Sequence, residues 1–144
     1  MVEAVCVRNY LLALLARRDY ATSELVSKLQ QKFGAAENWQ AVLLELQKSG
    51  LQSDRRFAEN FVRSHPKWGA LKLQYTLQNL GVAEDLIHEF LPSKEMEIMK
   101  LRQNLELKLS QQKLVLNLRE RKKLIGFLRQ RGFALALIQK VLND

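Results

Sequence analysis

One pattern occurs three times along this 144-residue chain and limits what it can fold into. Each copy is centred on a glycine, which is Gly34, Gly81 or Gly132. Leucine pairs spaced four apart precede these glycines, and apolar residues stand five, nine and ten positions after them: Leu25/Leu29, Leu73/Leu77 and Leu124/Leu128 before, and Trp39, Leu43, Leu44, Leu86, Phe90, Leu91, Leu137, Val141 and Leu142 after. The pattern predicts a helix, a turn at a glycine with left-handed backbone, and a second helix whose apolar face packs into a core.

A further helix is predicted in front of each copy. The first spans about residues 5–16, the second about 54–63 with Ser53 as N-cap, and the third starts after Pro92 with Ser93 as N-cap. Pro66 disfavours helical geometry at His65 and so ends the second helix, and residues 109–113 are expected to interrupt the third. The chain is therefore predicted to be all-α, with three tandem helix-turn-helix-like modules at residues 1–52, 53–91 and 92–144. Such small modules must pack on one another, which predicts an elongated, curved stack.

Composition and single residues narrow the class of protein. A hydrophobic content of 47% with two prolines is typical of a folded helical chain. The apolar positions 7, 10, 11, 14 and 15 fit an amphipathic helix better than a signal peptide, so we expect a cytoplasmic protein. Cys6 is the only cysteine and is expected to pack as a small apolar side chain.

No catalytic motif is visible in the sequence. The phosphate loop GxxxxGK[ST], the dinucleotide fingerprint GxGxxG, the GxSxG elbow and the HExxH zinc motif are all absent. His65 and His88 stand far apart and offer no ligand cluster. We therefore expect neither an enzyme nor a bound cofactor or metal.

Charge is unevenly distributed along the chain. Residues 1–99 hold 12 Lys/Arg and 12 Asp/Glu, whereas residues 100–144 hold 11 against 3 and so carry the whole net charge of +8. This predicts an anionic partner for the C-terminal module. The alternative is that the charges form a solvated helix face without a partner. The candidate contacts are Arg119, Arg121, Lys122, Lys123, Arg129 and Arg131, and we expect Arg121, Lys122, Arg129 and Lys113 to share one exposed face.

Weaker candidates lie elsewhere in the chain. Each basic one is equally consistent with a surface charge or a local ion pair, and Arg56 could pair with Asp54 or cap a neighbouring helix. Trp68 beside Gly69 could anchor a contact or pack between modules. These candidates are Arg17, Arg18, Arg56, Lys67, Trp68 and Lys72.

The helix that follows the glycine of each copy is not expected to read DNA sequence. Two of these helices are net acidic, and the third holds a single cation, Lys140, among residues 134–144. A helix that reads base edges needs a cluster of Arg, Asn or Gln side chains. Basic residues 100–131 could instead follow phosphates without reading sequence.

Four stretches resemble the RecX family of regulators of the RecA recombinase. They are "ELVSKL" from Glu24 to Leu29, "DRRFA" from Asp54 to Ala58, a G-x-x-x-L-x-x-x-L-x-x-x-G-V segment from Gly69 to Val82, and "FLRQRGF" from Phe127 to Phe133. Each is weak alone, but four in this order are specific. Two departures stand out: Ala21 replaces a capping serine, so Thr22 or Asp19 is expected to cap instead, and Gln74, Tyr75 and Thr76 are neutral where the family is charged.

The resemblance implies a function in DNA repair by homologous recombination and the SOS response. It implies a monomeric regulator in the groove of the RecA–single-stranded-DNA filament, inhibiting filament extension, ATPase and strand exchange, with direct DNA contact left open. The alternative is a non-sequence-specific DNA-binding protein that acts through its basic C-terminal module. Such a protein needs stacking aromatics among its charges, yet residues 100–131 hold only Phe127, which is expected in the core. A third alternative is a scaffold for other helical proteins.

Overall fold

All regular secondary structure in the described part of the chain is helical. The computed structural model describes residues 3–34, 38–109 and 117–143. Within these residues there is no strand, and nine helices follow in order: α1 (Ala4–Leu15), α2 (Thr22–Phe33), α3 (Asn38–Lys48), α4 (Asp54–Ser64), α5 (Ala70–Asn79), α6 (Glu84–Phe90), α7 (Lys94–Leu109), α8 (Leu118–Gln130) and α9 (Leu135–Leu142). The predicted all-α helical repeat is confirmed.

The predicted N-caps of α4 and α7 are also confirmed. The hydroxyl of Ser53 accepts the backbone N–H of Arg56 at 3.1 Å, and that of Ser93 accepts the backbone N–H of Met96 at 3.2 Å. Each bond satisfies one of the N–H groups that a helix start leaves without an intrahelical partner. α4 ends two residues before Pro66, as predicted. The expected interruption at residues 109–113 lies outside the described residues, apart from Leu109 at the end of α7.

Glycines form two of the predicted turns by adopting left-handed backbone. Gly81 has φ 77° after α5, and Gly132 has φ 96° after α8. The following residue then donates back to the helix: Val82 N–H to the Leu77 carbonyl at 3.1 Å, and Phe133 N–H to the Leu128 carbonyl at 3.3 Å. This hydrogen bond defines a Schellman motif, in which glycine avoids the steric cost of a positive φ. Gly34 differs, because it follows α2 directly as the C-cap residue, with φ 65°.

The chain divides into two compact units. The first comprises Met1–Phe61 with Leu77–Ile87, and the second comprises Val62–Thr76 with His88–Asp144. The three module boundaries drawn from the sequence stay a prediction.

The first unit has a core of side chains from α1, α2 and α3. Leu11, Leu25 and Leu29 are fully buried, and Trp39 and Leu43 lie beside them. Each fully buried leucine contributes about 1.5–3 kcal/mol through removal of apolar surface from water.

Two single-residue predictions for this unit are wrong. Leu44 is half exposed, because Trp39, Val42, Leu43 and Leu46 occupy the inner face of α3 at helical spacing. Cys6 is exposed, because Val7 and Leu11 form the inner face of α1.

The start of α2 is capped from a distant part of the first unit. Ala21 is the N-cap residue, and its methyl group can accept no hydrogen bond, so only Glu24 contributes locally, by accepting the Ala21 N–H at 3.0 Å. The Asp54 carboxylate accepts the backbone N–H of Thr22 at 2.7 Å and its hydroxyl at 3.0 Å. The prediction that Thr22 or Asp19 would cap α2 is therefore wrong, and the acceptor comes from α4.

The core of the second unit fixes the orientation of α8. Leu124 and Leu128 point inward from α8, and Leu101 of α7 packs with them. Phe133 and Ile138 complete the cluster from the α8–α9 connection and from α9. Since residues four apart share a helix face, the side of α8 opposite the two leucines is turned to solvent.

Candidate functional site

The basic helix α8 begins at a reciprocal cap. The Asn117 side chain accepts the Glu120 N–H at 2.8 Å, and the Glu120 carboxylate accepts the Asn117 N–H at 3.4 Å. This pair is a capping box, which satisfies two N–H groups of the first turn. It also occupies Glu120, the single acidic residue of α8.

A group of exposed cations covers the solvent side of α8. We call it the basic face of α8, and its members are Arg119, Lys122, Lys123 and Arg129, all exposed. Among the described residues, no carboxylate lies within ion-pair distance of any of the four. Within the described part of the chain, no neighbouring carboxylate thus competes with an external anion for these charges.

Arg121 does not belong to this face. Its guanidinium donates to the side-chain oxygen of Asn143 at 2.7 Å, just after α9, and the residue is half-buried. One helix step of about 100° turns Arg121 toward α9 while Lys122 points to solvent. The prediction that Arg121 shares an exposed face with Lys122 and Arg129 is wrong for Arg121, and Lys113 lies outside the described residues.

Arg131, just after α8, stacks on an aromatic ring. Its guanidinium carbon is 4.9 Å from the centre of the Phe127 ring, and the Lys108 ammonium is 4.2 Å from the same centre. Phe127 is partly buried against the core, as expected. Two cations therefore converge on one ring by cation–π attraction. Sequence reasoning could have paired Phe127 with Arg131 from their i, i+4 spacing, but nothing in the sequence pointed to Lys108.

Trp68 and Lys72 form a second cluster in this unit. The Lys72 ammonium lies 4.2 Å from the centre of the Trp68 ring, and the centres of the His65 and Trp68 rings are 4.0 Å apart. The Trp68 carbonyl accepts from the Lys100 ammonium at 3.1 Å, and burial lowers the pKa of Lys100. The Trp68 ring thus contacts Lys72 and His65, its role as a contact anchor or in packing between modules stays a prediction, and Lys67 beside it is exposed.

Two of the three arginine candidates of the first unit make local contacts. Arg56 donates to the Asp19 carboxylate at 3.0 Å and to the carbonyls of Gly50 and Leu51 at 2.8 and 3.0 Å. Both carbonyls belong to the α3–α4 loop, beyond the end of α3 at Lys48, and the ion-pair partner is Asp19 and not the predicted Asp54. Arg18 pairs with Glu24 at 3.0 Å, and this hydrogen bond raises the pKa of Arg18. Arg17 is exposed.

Neither a cluster of metal-binding side chains nor a membrane-spanning helix is found among the described residues. No three His, Cys, Asp or Glu side chains gather within the described ranges to hold a metal ion. No helix among them has both the length and the apolar character needed to cross a membrane. The basic face of α8 can attract anions. The free energy of this attraction would become less favourable as added salt screens the charges.

Comparisons with known proteins agree on one family. The model of "RecX, second three-helix domain" matches residues 53–91. A regulatory protein RecX from Legionella pneumophila (strain Corby) is 45% identical over 82 residues, which is 56% of this chain and 55% of that protein. A regulatory protein RecX from Chromobacterium violaceum is 34% identical over 130 residues, covering 90% of this chain and 84% of that one.

A solved structure shows the same fold. The crystal structure of RecX from Lactobacillus salivarius superposes with a TM-score of 0.77 at 18% identity, over 97% of this chain and 94% of that chain. The match to the Legionella relative spans about half of either protein, whereas the match to the Chromobacterium relative spans most of both.

Proposed function

The chain belongs to the RecX family, and from this premise we propose that it regulates a RecA recombinase. It binds in the groove of the RecA filament on single-stranded DNA and inhibits filament extension, ATP hydrolysis and strand exchange. It acts as a monomer in the cytoplasm and has no catalytic activity of its own.

The observation that carries the proposal beyond the family is the basic face of α8. Arg119, Lys122, Lys123 and Arg129 are exposed and are paired with no carboxylate of the described residues. Phosphates of DNA or acidic side chains of a partner protein would attract such a face. Charges of this kind raise the rate of association and its dependence on salt.

The same face favours a second candidate function. A protein that simply coats DNA needs only exposed cations, whose affinity falls steeply as salt rises. Phe127, with Lys108 at 4.2 Å from its ring centre, supplies the one aromatic of the described basic region, and it is partly buried. Coating of single strands uses several open aromatic rings, so filament regulation is the better-supported function.

The two functions separate in one titration. The DNA-dependent ATPase of the cognate RecA is measured while this protein is added far below the RecA concentration. Inhibition at such ratios means that one molecule acts on many RecA protomers of a filament. Inhibition only when enough protein is present to cover the DNA identifies competition for the strand, and no inhibition at any ratio rejects both functions.

A further inference from the structure

Gly126 occupies a position that the fold does not require to be glycine. It lies in the interior of α8, is exposed, and has negative φ, so left-handed backbone is not the reason for it. A Cβ placed there would meet nothing within 4 Å among the described residues. Glycine is less favourable than alanine inside a helix, so neither packing nor helix stability accounts for it.

The surroundings of Gly126 on the helix surface are basic. Side chains three and four positions away are its neighbours on an α-helix. In both directions these neighbours are exposed and polar: Lys122, Lys123, Arg129 and Gln130. The missing side chain therefore leaves a recess in the middle of the basic face of α8, where another chain can approach the helix backbone closely.

The chemistry of these four neighbours of Gly126 favours phosphates over an acidic protein surface as the partner. Protein–protein interfaces have cores that are depleted in charge and rich in apolar and aromatic side chains. None of the four neighbours of Gly126 is apolar. The exposed Leu118 lies at the start of α8, away from these four residues. A continuous phosphate backbone, by contrast, matches cations spread over the roughly 15 Å of helix between Arg119 and Arg129.

We propose that α8 seats the phosphodiester backbone of single-stranded DNA across Gly126, with Lys122 and Lys123 on one side and Arg129 and Gln130 on the other. The choice of single-stranded DNA rests on the proposed function, since that is the nucleic acid of a RecA filament. Gly126 allows the strand to approach closely, so that the cations on both sides reach phosphates at once.

The test measures binding to a fluorescently labelled oligothymidylate by anisotropy, with no RecA present. For the unchanged protein, the logarithm of the association constant should fall with the logarithm of salt concentration with a slope of about −3. This slope corresponds to four phosphates neutralised on a single strand by the cations of the basic face, Arg119, Lys122, Lys123 and Arg129. Gly126→Leu should weaken binding about tenfold, because a branched side chain holds the strand away from the cations and Coulomb attraction falls with distance. The matched control is Ala13→Leu, on the exposed side of α1, which should bind as the unchanged protein does.

Stability provides the second readout. Gly126→Ala should raise the melting temperature by roughly 2–4 °C, since it removes the penalty of an interior helical glycine. Loss of DNA affinity in a variant that is folded and equally or more stable supports close approach at Gly126. Unchanged affinity in Gly126→Leu overturns the proposal.

Failure of this inference is distinct from failure of the proposed function. If the unchanged protein binds no oligothymidylate yet inhibits the ATPase at substoichiometric ratios, the basic face meets acidic protein, and the inference is overturned while filament regulation stands. Equal loss of affinity in Gly126→Leu and Ala13→Leu also overturns it, because the effect would not depend on the recess. Tighter binding to double-stranded than to single-stranded oligonucleotides would reject the assignment of the strand.

Discussion

The backbones of Gly69 and Gly132 lie directly against each other. The Gly69 N–H donates to the Arg131 carbonyl at 2.7 Å, and the Leu71 N–H donates to the Gly132 carbonyl at 3.1 Å. A Cβ on Gly69 would lie 2.5 Å from the Gly132 carbonyl oxygen. The start of α5 is therefore joined to the α8–α9 turn within the second unit by backbone contact that any side chain would obstruct.

Substitution of Gly69 should destabilise the protein. Gly69→Ala forces backbone atoms apart, and such overpacking costs about 1–3 kcal/mol of unfolding free energy. Gly126→Ala is the matched control, because its Cβ meets nothing within 4 Å and should add about 0.5–1 kcal/mol. Urea unfolding followed by circular dichroism measures both, and a Gly69→Ala variant as stable as the unchanged protein would contradict the close approach.

Loss of the Asp54 carboxylate should weaken the start of α2. Asp54→Ala removes the acceptor of the Thr22 N–H. It also removes one hydrogen-bond partner of the buried Gln52, whose side-chain amide donates to the same carboxylate at 2.9 Å. We expect a loss of about 1–3 kcal/mol in unfolding free energy. Asp85→Ala, an exposed acid in the first turn of α6, is the control and should cost only a few tenths. Equal losses in the two variants would show that Asp54 acts through the helix dipole alone.

Charge reversal on the basic face should weaken inhibition of RecA and leave the fold intact. Lys122→Glu with Lys123→Glu places carboxylates where the proposed function needs cations, and the ATPase titration should shift to at least tenfold higher protein concentration. The control carries the same change in net charge at exposed lysines of α3 and α9, Lys48→Glu with Lys140→Glu. Unchanged inhibition by the Lys122/Lys123 variant, with native circular dichroism, would remove this face from the mechanism.

Lys100 should give the stability a dependence on alkaline pH. Burial lowers its pKa from the usual 10.5, so the folded protein releases the proton at lower pH than the unfolded chain. Between the two pKa values the unfolded chain binds more protons, and stability therefore rises with pH in this window. Lys100→Met removes the titration, so the melting temperature of the unchanged protein minus that of the variant should rise as pH approaches 10.5 from below. A difference that is flat or falls would contradict the burial of this ammonium.

Features that depend on neighbours along the chain could be predicted from the amino-acid sequence. Helix starts at Ser53 and Ser93 and turns at Gly81 and Gly132 are set by groups within a few residues, whose backbone preferences act locally. Helical spacing likewise identified Leu124 and Leu128 as core residues. The exposure of Lys122 and Arg129 followed from the same periodicity.

Contacts between groups that are distant along the chain could be read only from the folded structure. The cap of Thr22 comes from Asp54, 32 residues later, and Arg121 is bound by Asn143, 22 residues later. Gly69 lies against Gly132 although no pattern relates them. Such pairs depend on how helices pack, where differences of one residue turn a side chain by about 100° and change its partner. Local sequence preferences carry no record of that packing, which is why Arg121 and Arg56 could be named from the sequence while their partners could not.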